Sequence, residues 1–228
     1  MADQTVLITG ASGGIGAAVA ETFGSAGWRV VLCSRSHSGL ENVAAAVSDA
    51  GGTPVIKPLD VTDADELYVS IVDAIDTSID IVIPAAATTT GPPGQQPLNK
   101  EMHEEFKTVM DTNVYGVFAV VRESLQFMPR DGRVLIPSGS VARESVEGMG
   151  AYGVSKAAVE GLARSFAADV EQTVGIVDPG LVATELTNQQ GHNPQEIAEL
   201  FRWAGMECAA PDLDGEVIGL QQWKQATR

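Results

Sequence analysis

The chain has 228 residues, of which 44% are hydrophobic and 19% are charged, so it is long enough to bury one large core. Its formal net charge of −16 argues against a general surface for nucleic acid or for an anionic membrane, since both attract cationic proteins. It contains two cysteines, Cys33 and Cys208, and no cluster of cysteine and histidine with metal-ligand spacing, so we expect a reduced, cytoplasmic protein that binds no metal.

The amino-terminal segment and the apolar runs give no sign of secretion or membrane insertion. The first apolar run is short and strand-like, and no basic stretch precedes it. No apolar run approaches the roughly 20 residues that a membrane-spanning helix needs. We therefore expect neither a membrane nor nucleic acid among the partners of this protein.

Short runs rich in β-branched residues alternate with helical stretches along most of the chain. We predict strands at residues 5–9, 29–33, 54–56, 79–83, 133–136 and 173–177, with a last short strand within 214–220 and a tail after it. We predict helices at residues 14–26, 40–50, 64–77, 98–127 and 150–171, with loops at 91–94 and 191–194. Apolar strands that alternate with helices form a parallel sheet covered on both faces, so the pattern predicts a single α/β domain over residues 1–228, doubly wound and three-layered (α/β/α).

A glycine-rich segment, Thr9-Gly10-Ala11-Ser12-Gly13-Gly14-Ile15-Gly16, links the first predicted strand to the first helix. Glycines permit positive φ angles and let a pyrophosphate approach the backbone, while the helix N-terminus offers unpaired N–H groups and partial positive charge. In this position the segment predicts the phosphate-binding turn of a Rossmann fold. The predicted cofactor contacts are Gly10, Ser12, Gly14, Ile15 and Gly16. The alternative is a glycine-rich turn that binds no ligand.

Arg35 follows the second predicted strand, about 20 residues beyond the glycine loop, where NAD-binding folds carry an acid for the ribose 2′-hydroxyl. No acid is present in Cys33-Ser34-Arg35. A guanidinium binds a 2′-phosphate through paired hydrogen bonds, so Arg35 favours NADP(H), with NAD(H) as the alternative cofactor. If Arg35 does not contact a cofactor, it is a solvated charge at the end of a strand.

Tyr152 and Lys156 stand four residues apart in a long predicted helix, a spacing that places both side chains on one helical face. Because a nearby positive charge favours the phenolate, we expect Lys156 to lower the pKa of Tyr152. A tyrosine tuned in this way exchanges protons near neutral pH. The same spacing is also typical of an ordinary pair on a helix surface.

Four motifs follow one another along the chain: the glycine loop, Asn113 in Thr112-Asn113-Val114-Tyr115-Gly116, the Tyr152/Lys156 pair, and Asp178-Pro179-Gly180-Leu181-Val182-Ala183-Thr184. With these motifs in this order, the chain resembles the short-chain dehydrogenases/reductases from about residue 6 to residue 218. The resemblance implies an NADP(H)-dependent oxidoreductase that interconverts a small ketone or aldehyde and its alcohol. It implies that Tyr152 is the general acid or base, that Lys156 holds the nicotinamide ribose, and that Asn113 positions a water in a proton relay.

The resemblance also implies further cofactor contacts. Asp60 and Val61 match an adenine-contacting pair, although Asp60 in the alternative caps the following helix. The segment that borders the nicotinamide corresponds to Pro179, Gly180, Val182 and Thr184, or in the alternative is a simple turn. Asn113 has an alternative as well, that of a polar helix residue bonded to backbone.

One departure from the family lies after the fourth predicted strand, where Pro84-Ala85-Ala86-Ala87 replaces the usual Asn-Asn-Ala-Gly. The small residues leave room for the cofactor, with Ala86 as a predicted contact. The amide side chains that tie the central sheet together are absent, and Pro84 removes a backbone donor. We therefore expect a looser or differently bonded site here.

The second departure concerns the family's catalytic serine, which lies 13 residues before the tyrosine, a position that is Gly139 in this chain. Ser138 and Ser140 flank it, and a one-residue insertion or deletion would restore either serine to the site. The preceding Ile136-Pro137 favours Ser138, which we prefer, whereas the following Val141-Ala142 favours Ser140. If neither hydroxyl reaches a substrate, the alternative function is a non-catalytic NADP(H)-binding sensor or structural subunit.

Three further expectations rest on the resemblance alone. The short link between the Tyr152 helix and the sixth strand is similar to the compact branch that includes sepiapterin- and benzil-reductase-like enzymes. The family's substrate lid corresponds to about residues 186–206, which we predict to be loop-like. The helices near 102–127 and 150–171 are faces that the family pairs, so the resemblance implies a homodimer or homotetramer that acts on a small-molecule carbonyl or alcohol.

Overall fold

The computed structural model describes residues 4–76, 78–92 and 94–228. Thr77, the predicted end of the third helix, and Pro93, within a predicted loop, lie outside the described residues, as do residues 1–3. The strands are β1 (Thr5–Thr9), β2 (Arg29–Ser34), β3 (Thr53–Pro58), β4 (Ile81–Pro84), β5 (Arg133–Pro137), β6 (Thr173–Asp178) and β7 (Val217–Gly219). They form one parallel sheet in the order β3-β2-β1-β4-β5-β6-β7, which confirms the predicted doubly wound fold.

Helices cover both faces of this sheet. They are α1 (Gly14–Ser25), α2 (His37–Ala50), α3 (Ala64–Ala74), α4 (His103–Met110), α5 (Gly116–Leu125), α6 (Gly150–Asp169), α7 (Pro194–Met206), α8 (Ala210–Leu213) and α9 (Leu220–Ala226). The chain order reverses direction between β1 and β4, so a crevice opens at the carboxyl ends of these neighbouring strands. Ligands of doubly wound proteins bind at that point.

Alternate residues of the central strands face opposite helical layers. In β1, Val6 and Ile8 belong to the apolar core under α1, α2 and α7, whereas Leu7 belongs to the core under α3, α5 and α6. All three side chains are fully buried, and each contributes roughly 1.5–3 kcal/mol relative to an exposed position. A strand that is apolar on both faces is what a parallel sheet between two helical layers requires.

The predicted loop at residues 186–206 is wrong from residue 194 onward, because that part forms α7. The side chain of Asn193 caps this helix by accepting a hydrogen bond from the Gln195 N–H, and Pro194 occupies the first turn. Ile197 and Phe201 are fully buried in the core that α7 shares with α1. A helix packed in this way is part of the scaffold, which leaves residues 181–193 as the irregular segment beside the crevice.

Two smaller predictions about helices also differ from the structure. The predicted helix at 98–127 is divided, because α4 and α5 are joined through a π-helical turn at Asp111–Tyr115. The predicted tail after residue 220 forms α9, whose Leu220 and Trp223 pack on the core. Within the described residues, no helix combines the length and the apolar character needed to cross a membrane.

Candidate active site

A cleft of about 900 Å³ opens at the carboxyl edge of the sheet. The structure brings almost every predicted site residue onto its wall, although these residues come from distant parts of the chain. The predicted residues that line it are Gly10, Ser12, Gly14, Ile15, Gly16, Arg35, Asp60, Val61, Ala86, Ser138, Ser140, Tyr152, Lys156, Pro179, Gly180, Val182 and Thr184. Asn113 lies behind the wall, next to Thr112, which does line the cleft.

The glycine loop packs too closely for side chains at two of its positions. Gly10 has φ +68°, and a Cβ there would lie 2.7 Å from the backbone nitrogen of Ala86. A Cβ on Gly16 would lie 2.4 Å from the carbonyl oxygen of Gly10. Among the described residues, no side chain caps the start of α1 at Gly13, so the first N–H groups of the helix stay free for an anion. This end of the cleft therefore fits the pyrophosphate of a dinucleotide.

Arg35 and Asp60 face each other at the ends of β2 and β3. The guanidinium Nη1 lies 3.9 Å from Asp60 Oδ2, and the Arg35 side chain is 74% exposed. Asp60 Oδ1 accepts hydrogen bonds from the N–H and the hydroxyl of Thr62, and the first of these is the main reason that its pKa is lowered. The cap of α3 is Asp63, whose side chain accepts from the Glu66 N–H. Asp60 is therefore not the helix cap, and Arg35 remains free enough to meet a ligand.

Tyr152 and Lys156 lie on the buried side of α6. The Lys156 Nζ is 5.5 Å from the centre of the Tyr152 ring and donates a hydrogen bond to the Pro137 carbonyl oxygen at 3.0 Å. Burial lowers the pKa of Lys156 to about 8. Burial, with a smaller effect of the nearby Asp178 carboxylate, raises the pKa of Tyr152 to about 12.

The expectation that Lys156 lowers the pKa of Tyr152 is therefore wrong for this structure. Removing the phenol from water disfavours its charged form, and Asp178 adds to that effect. At neutral pH the phenol is protonated. That state suits a group that donates a proton to a carbonyl oxygen.

Asn113 is 2% exposed and sits in the π-helical turn. Its Oδ1 accepts from the Thr88 N–H, and its Nδ2 donates both to the Thr88 carbonyl oxygen and to the Ser155 hydroxyl. The side chain thus fastens the segment after β4 to α6, beside Tyr152. These contacts agree with the alternative in which Asn113 bonds to backbone, and π-helical turns of this kind are frequent at functional sites.

The two candidate serines occupy different environments. Ser138 is buried, and its hydroxyl donates to the Glu160 carboxylate at 2.9 Å. Ser140 is exposed and begins the short 3₁₀ turn Ser140–Ala142 on the cleft wall. Both residues line the cleft, but the Ser138 hydroxyl is engaged by Glu160, whereas Ser140 is exposed.

The Pro84-Ala87 segment lies where two central strands diverge. The pairing of β4 with β5 is limited to Ile81 with Arg133 and Val82 with Val134. The Ala86 N–H then donates to the Thr9 hydroxyl at 3.3 Å, so the segment is bonded to β1 instead. The pairing of β4 with β5 thus ends before Ala85, Ala86 and Ala87, which line the cleft.

Sequence reasoning missed two carboxylates that support α6. Glu101 accepts hydrogen bonds from the Ala151 N–H and the Thr90 hydroxyl, and so holds the first turn of the helix just before Tyr152. Nothing in the sequence indicates that contact. Glu160 is 2% exposed and lies four residues after Lys156. Its place on the same helical face as Tyr152 and Lys156 was a signal that could have identified it.

A doubly wound sheet whose cleft is lined by a glycine-rich phosphate-binding turn and by a tyrosine-lysine pair defines a nicotinamide-dependent oxidoreductase. The family model of the short chain dehydrogenases matches residues 4–195. The chain therefore belongs to the short-chain dehydrogenase/reductase family, whose members act on small substrates.

Relatives of known activity agree with this assignment. A 3-oxoacyl-(acyl-carrier-protein) reductase from Synechocystis is 26% identical over 95% of both chains. An NADPH-dependent pterin aldehyde reductase from Arabidopsis thaliana is 32% identical over 82% of this chain and 78% of its own. An alcohol dehydrogenase from Thermococcus sibiricus, solved with 5-hydroxy-NADP, has a TM-score of 0.83 at 25% identity and covers 95% of each chain. Members of the family that are similar to this chain thus bind NADP(H).

Proposed function

We propose that this enzyme is an NADP(H)-dependent carbonyl reductase that interconverts a small, uncharged ketone or aldehyde and its alcohol. The observation that carries the proposal is the buried Tyr152/Lys156 pair, which lies on the wall of the same cleft as the glycine loop. Two relatives support it, because the names of the Synechocystis and Arabidopsis enzymes both describe reduction of a carbonyl group.

In the proposed reduction, Tyr152 donates its phenolic proton to the carbonyl oxygen as the carbonyl carbon is reduced. NADPH, when bound, supplies the hydride. The glycine loop and Arg35 hold its phosphates, and Lys156 lies between Tyr152 and the strand end at Pro137. The phenolate left on Tyr152 regains a proton from water, and the reverse sequence oxidises the alcohol, with the phenolate as base.

The lining of the cleft favours a substrate without charge. Over the described residues, Arg35 and Lys156 are the cationic side chains on its wall. Arg35 stands at the end of β2, and Lys156 is buried against a carbonyl oxygen, so neither is placed to bind an acidic substrate group. The side chains that remain for a substrate body include the apolar Val141, Met149, Leu181 and Leu186. Glu185, also on the wall, disfavours an anionic substrate further.

We propose Ser140, rather than the initially preferred Ser138, as the serine that polarises the carbonyl. Ser140→Ala should lower kcat roughly 100-fold, because it removes a hydrogen bond to the developing oxyanion. Ser138→Ala should keep most of the activity but destabilise the fold by about 1–3 kcal/mol, since the buried Glu160 loses a donor. Steady-state kinetics and urea unfolding of both variants check this assignment, and the opposite pattern would restore Ser138 to the role.

Arg35 is proposed to select NADP(H) over NAD(H). Arg35→Gln should raise the Kd of NADPH roughly 10- to 100-fold, because a charge-assisted contact to the 2′-phosphate is lost, and should leave the Kd of NADH unchanged. Fluorescence titration with both cofactors measures this. Arg130→Gln is the matched control, as its side chain is 84% exposed and pairs with Glu171. Equal effects on NADPH and NADH would remove the proposed role.

The decisive experiment for the function is a panel of ketones and aldehydes assayed with NADPH. Turnover of uncharged apolar carbonyls in preference to carboxylate- or phosphate-bearing ones is the expected result. Tight NADPH binding without turnover of any member would instead identify a cofactor-binding sensor or structural subunit.

Several finer features are also proposed. The link of residues 170–172 between α6 and β6 and the Arabidopsis pterin aldehyde reductase support a place in the sepiapterin- and benzil-reductase-like branch. Residues 181–193 are proposed as the substrate lid. A cytoplasmic homodimer or homotetramer is proposed, supported by buried free cysteines and by exposed apolar side chains on α5 and α6, among them Phe118 and Val154.

A further inference from the structure

Two carboxylates lie behind the catalytic pair, on different elements. Glu160 is 2% exposed on α6, and its carboxylate accepts the Ser138 hydroxyl. Asp178 ends β6, its side chain is 13% exposed, and its Oδ1 accepts from the Gly180 N–H at 3.0 Å. A buried carboxylate is costly unless a cation or several donors compensate it.

One guanidinium compensates both. Arg143 Nη1 bonds to Glu160, and Nη2 bonds to Asp178. The backbone N–H of Arg143 donates to the Ser140 carbonyl oxygen at 2.9 Å, so the residue closes the turn that carries Ser140. Arg143 therefore joins three parts of the site: the Ser140 turn, the catalytic helix α6 and the segment that begins at Asp178.

The charges that face Tyr152 come from several elements. Lys156 lies on the same helix, Glu101 caps the first turn of that helix, and Asp178 approaches from β6. The Asp178 carboxylate helps to hold the proton on Tyr152, because a negative charge disfavours the phenolate. The guanidinium of Arg143 lies against that carboxylate and offsets its charge.

We propose that Arg143 is a positioning residue that fixes the Ser140 turn to the catalytic helix and, by neutralising Asp178, eases removal of the proton from Tyr152. This inference rests on the proposed role of Tyr152 in proton transfer. It assigns a function to a residue outside the cleft wall, three positions after the serine, through ion pairs with two different elements.

The test compares the pH profiles of alcohol oxidation for four variants. Arg143→Gln should lower kcat about tenfold and move the midpoint of the rising limb upward by about one pH unit. Asp178→Asn should move that midpoint downward. In the Asp178→Asn background, Arg143→Gln should no longer move it, because the charge that Arg143 offsets is gone. Arg164→Gln is the matched control, since Arg164 approaches Glu160 at 3.6 Å and so leaves the partner of Asp178 in place.

A second readout does not depend on turnover. The chain has three tyrosines, so ¹³Cζ-tyrosine NMR of the NADP⁺ complex, with Tyr152→Phe for assignment, follows the titration of Tyr152 directly. Upward movement of this titration in Arg143→Gln, abolished by Asp178→Asn, supports the proposal even if no substrate is turned over. A shift of equal size with and without the Asp178 charge, or the same shift in Arg164→Gln, would overturn it.

Discussion

Tyr152→Phe should lower turnover roughly 10²- to 10⁴-fold in both directions, while NADPH binding is retained. The substitution removes the phenolic oxygen and leaves the ring, which lies 5.5 Å from the Lys156 ammonium and fills the same wall of the cleft. Steady-state kinetics with the best carbonyl from the panel, together with NADPH titration, measure the two effects separately.

Tyr68→Phe is the matched control, because Tyr68 lies on α3 and is 42% exposed. It should have wild-type kinetics. Full turnover by Tyr152→Phe would eliminate the proposed mechanism, whereas loss of NADPH binding in that variant would show that the phenol serves the cofactor and not the proton transfer.

The raised pKa of Tyr152 also sets an expected pH dependence. Below a pKa of about 12 the phenol is protonated, so the group is ready to act as an acid throughout the neutral range. The rate of carbonyl reduction should therefore not change with the protonation of Tyr152 between pH 6 and 8. The rate of alcohol oxidation, which needs the phenolate, should rise with pH. At neutral pH, Tyr152 is therefore in the protonation state that reduction requires.

The sheet and the phosphate-binding end of the cleft could be predicted because their determinants are local. Apolar β-branched runs gave the strands, and β1 has the predicted bounds. The glycines at positions 10 and 16 were recognisable because the turn they form requires close approach of backbone to backbone, which the contact distances at both positions bear out.

The prediction of a loop at 194–206 failed although the local signal for a helix was present. Asn193 and Pro194 form a helix start, and Ile197, Leu200 and Phe201 follow at helical spacing. The resemblance to the family's lid predicts a loop here, whereas this local pattern predicts a helix. The burial of those apolar residues against α1 then decided the structure.

The pKa of Tyr152 and the partner of Ser138 could not be predicted, because both depend on contacts between distant segments. Asp178 lies on β6, and Glu160 reaches Ser138 across 22 positions of the chain. The spacing of Tyr152 and Lys156 shows that they are neighbours, but it does not show how much water surrounds them. Desolvation, which the sequence does not reveal, decides the direction of both pKa shifts.

Lys156→Met should abolish most of the activity and, at pH 7, make the fold more stable by about 1–3 kcal/mol. Lys156 is 7% exposed, and burial lowers its pKa from 10.5 to about 8. At neutral pH the folded protein therefore carries a charge that it would hold more favourably in water. Methionine fills a similar volume without that cost, although the hydrogen bond to the Pro137 carbonyl oxygen is lost.

The sign of the pH dependence follows from the same shift. Between pH 8 and about 10.5 the unfolded chain keeps the proton on this lysine while the folded chain releases it, so wild-type stability gains from this group as pH rises through that window. The advantage of Lys156→Met should accordingly shrink between pH 7 and pH 10, as measured by urea unfolding. Lys107→Met, at a side chain that is 72% exposed and paired with Asp111, should change stability by less than about 1 kcal/mol at either pH. A Lys156→Met protein that is less stable than wild type at pH 7 would mean that the lysine stabilises the fold, and that its burial is not a cost accepted for catalysis.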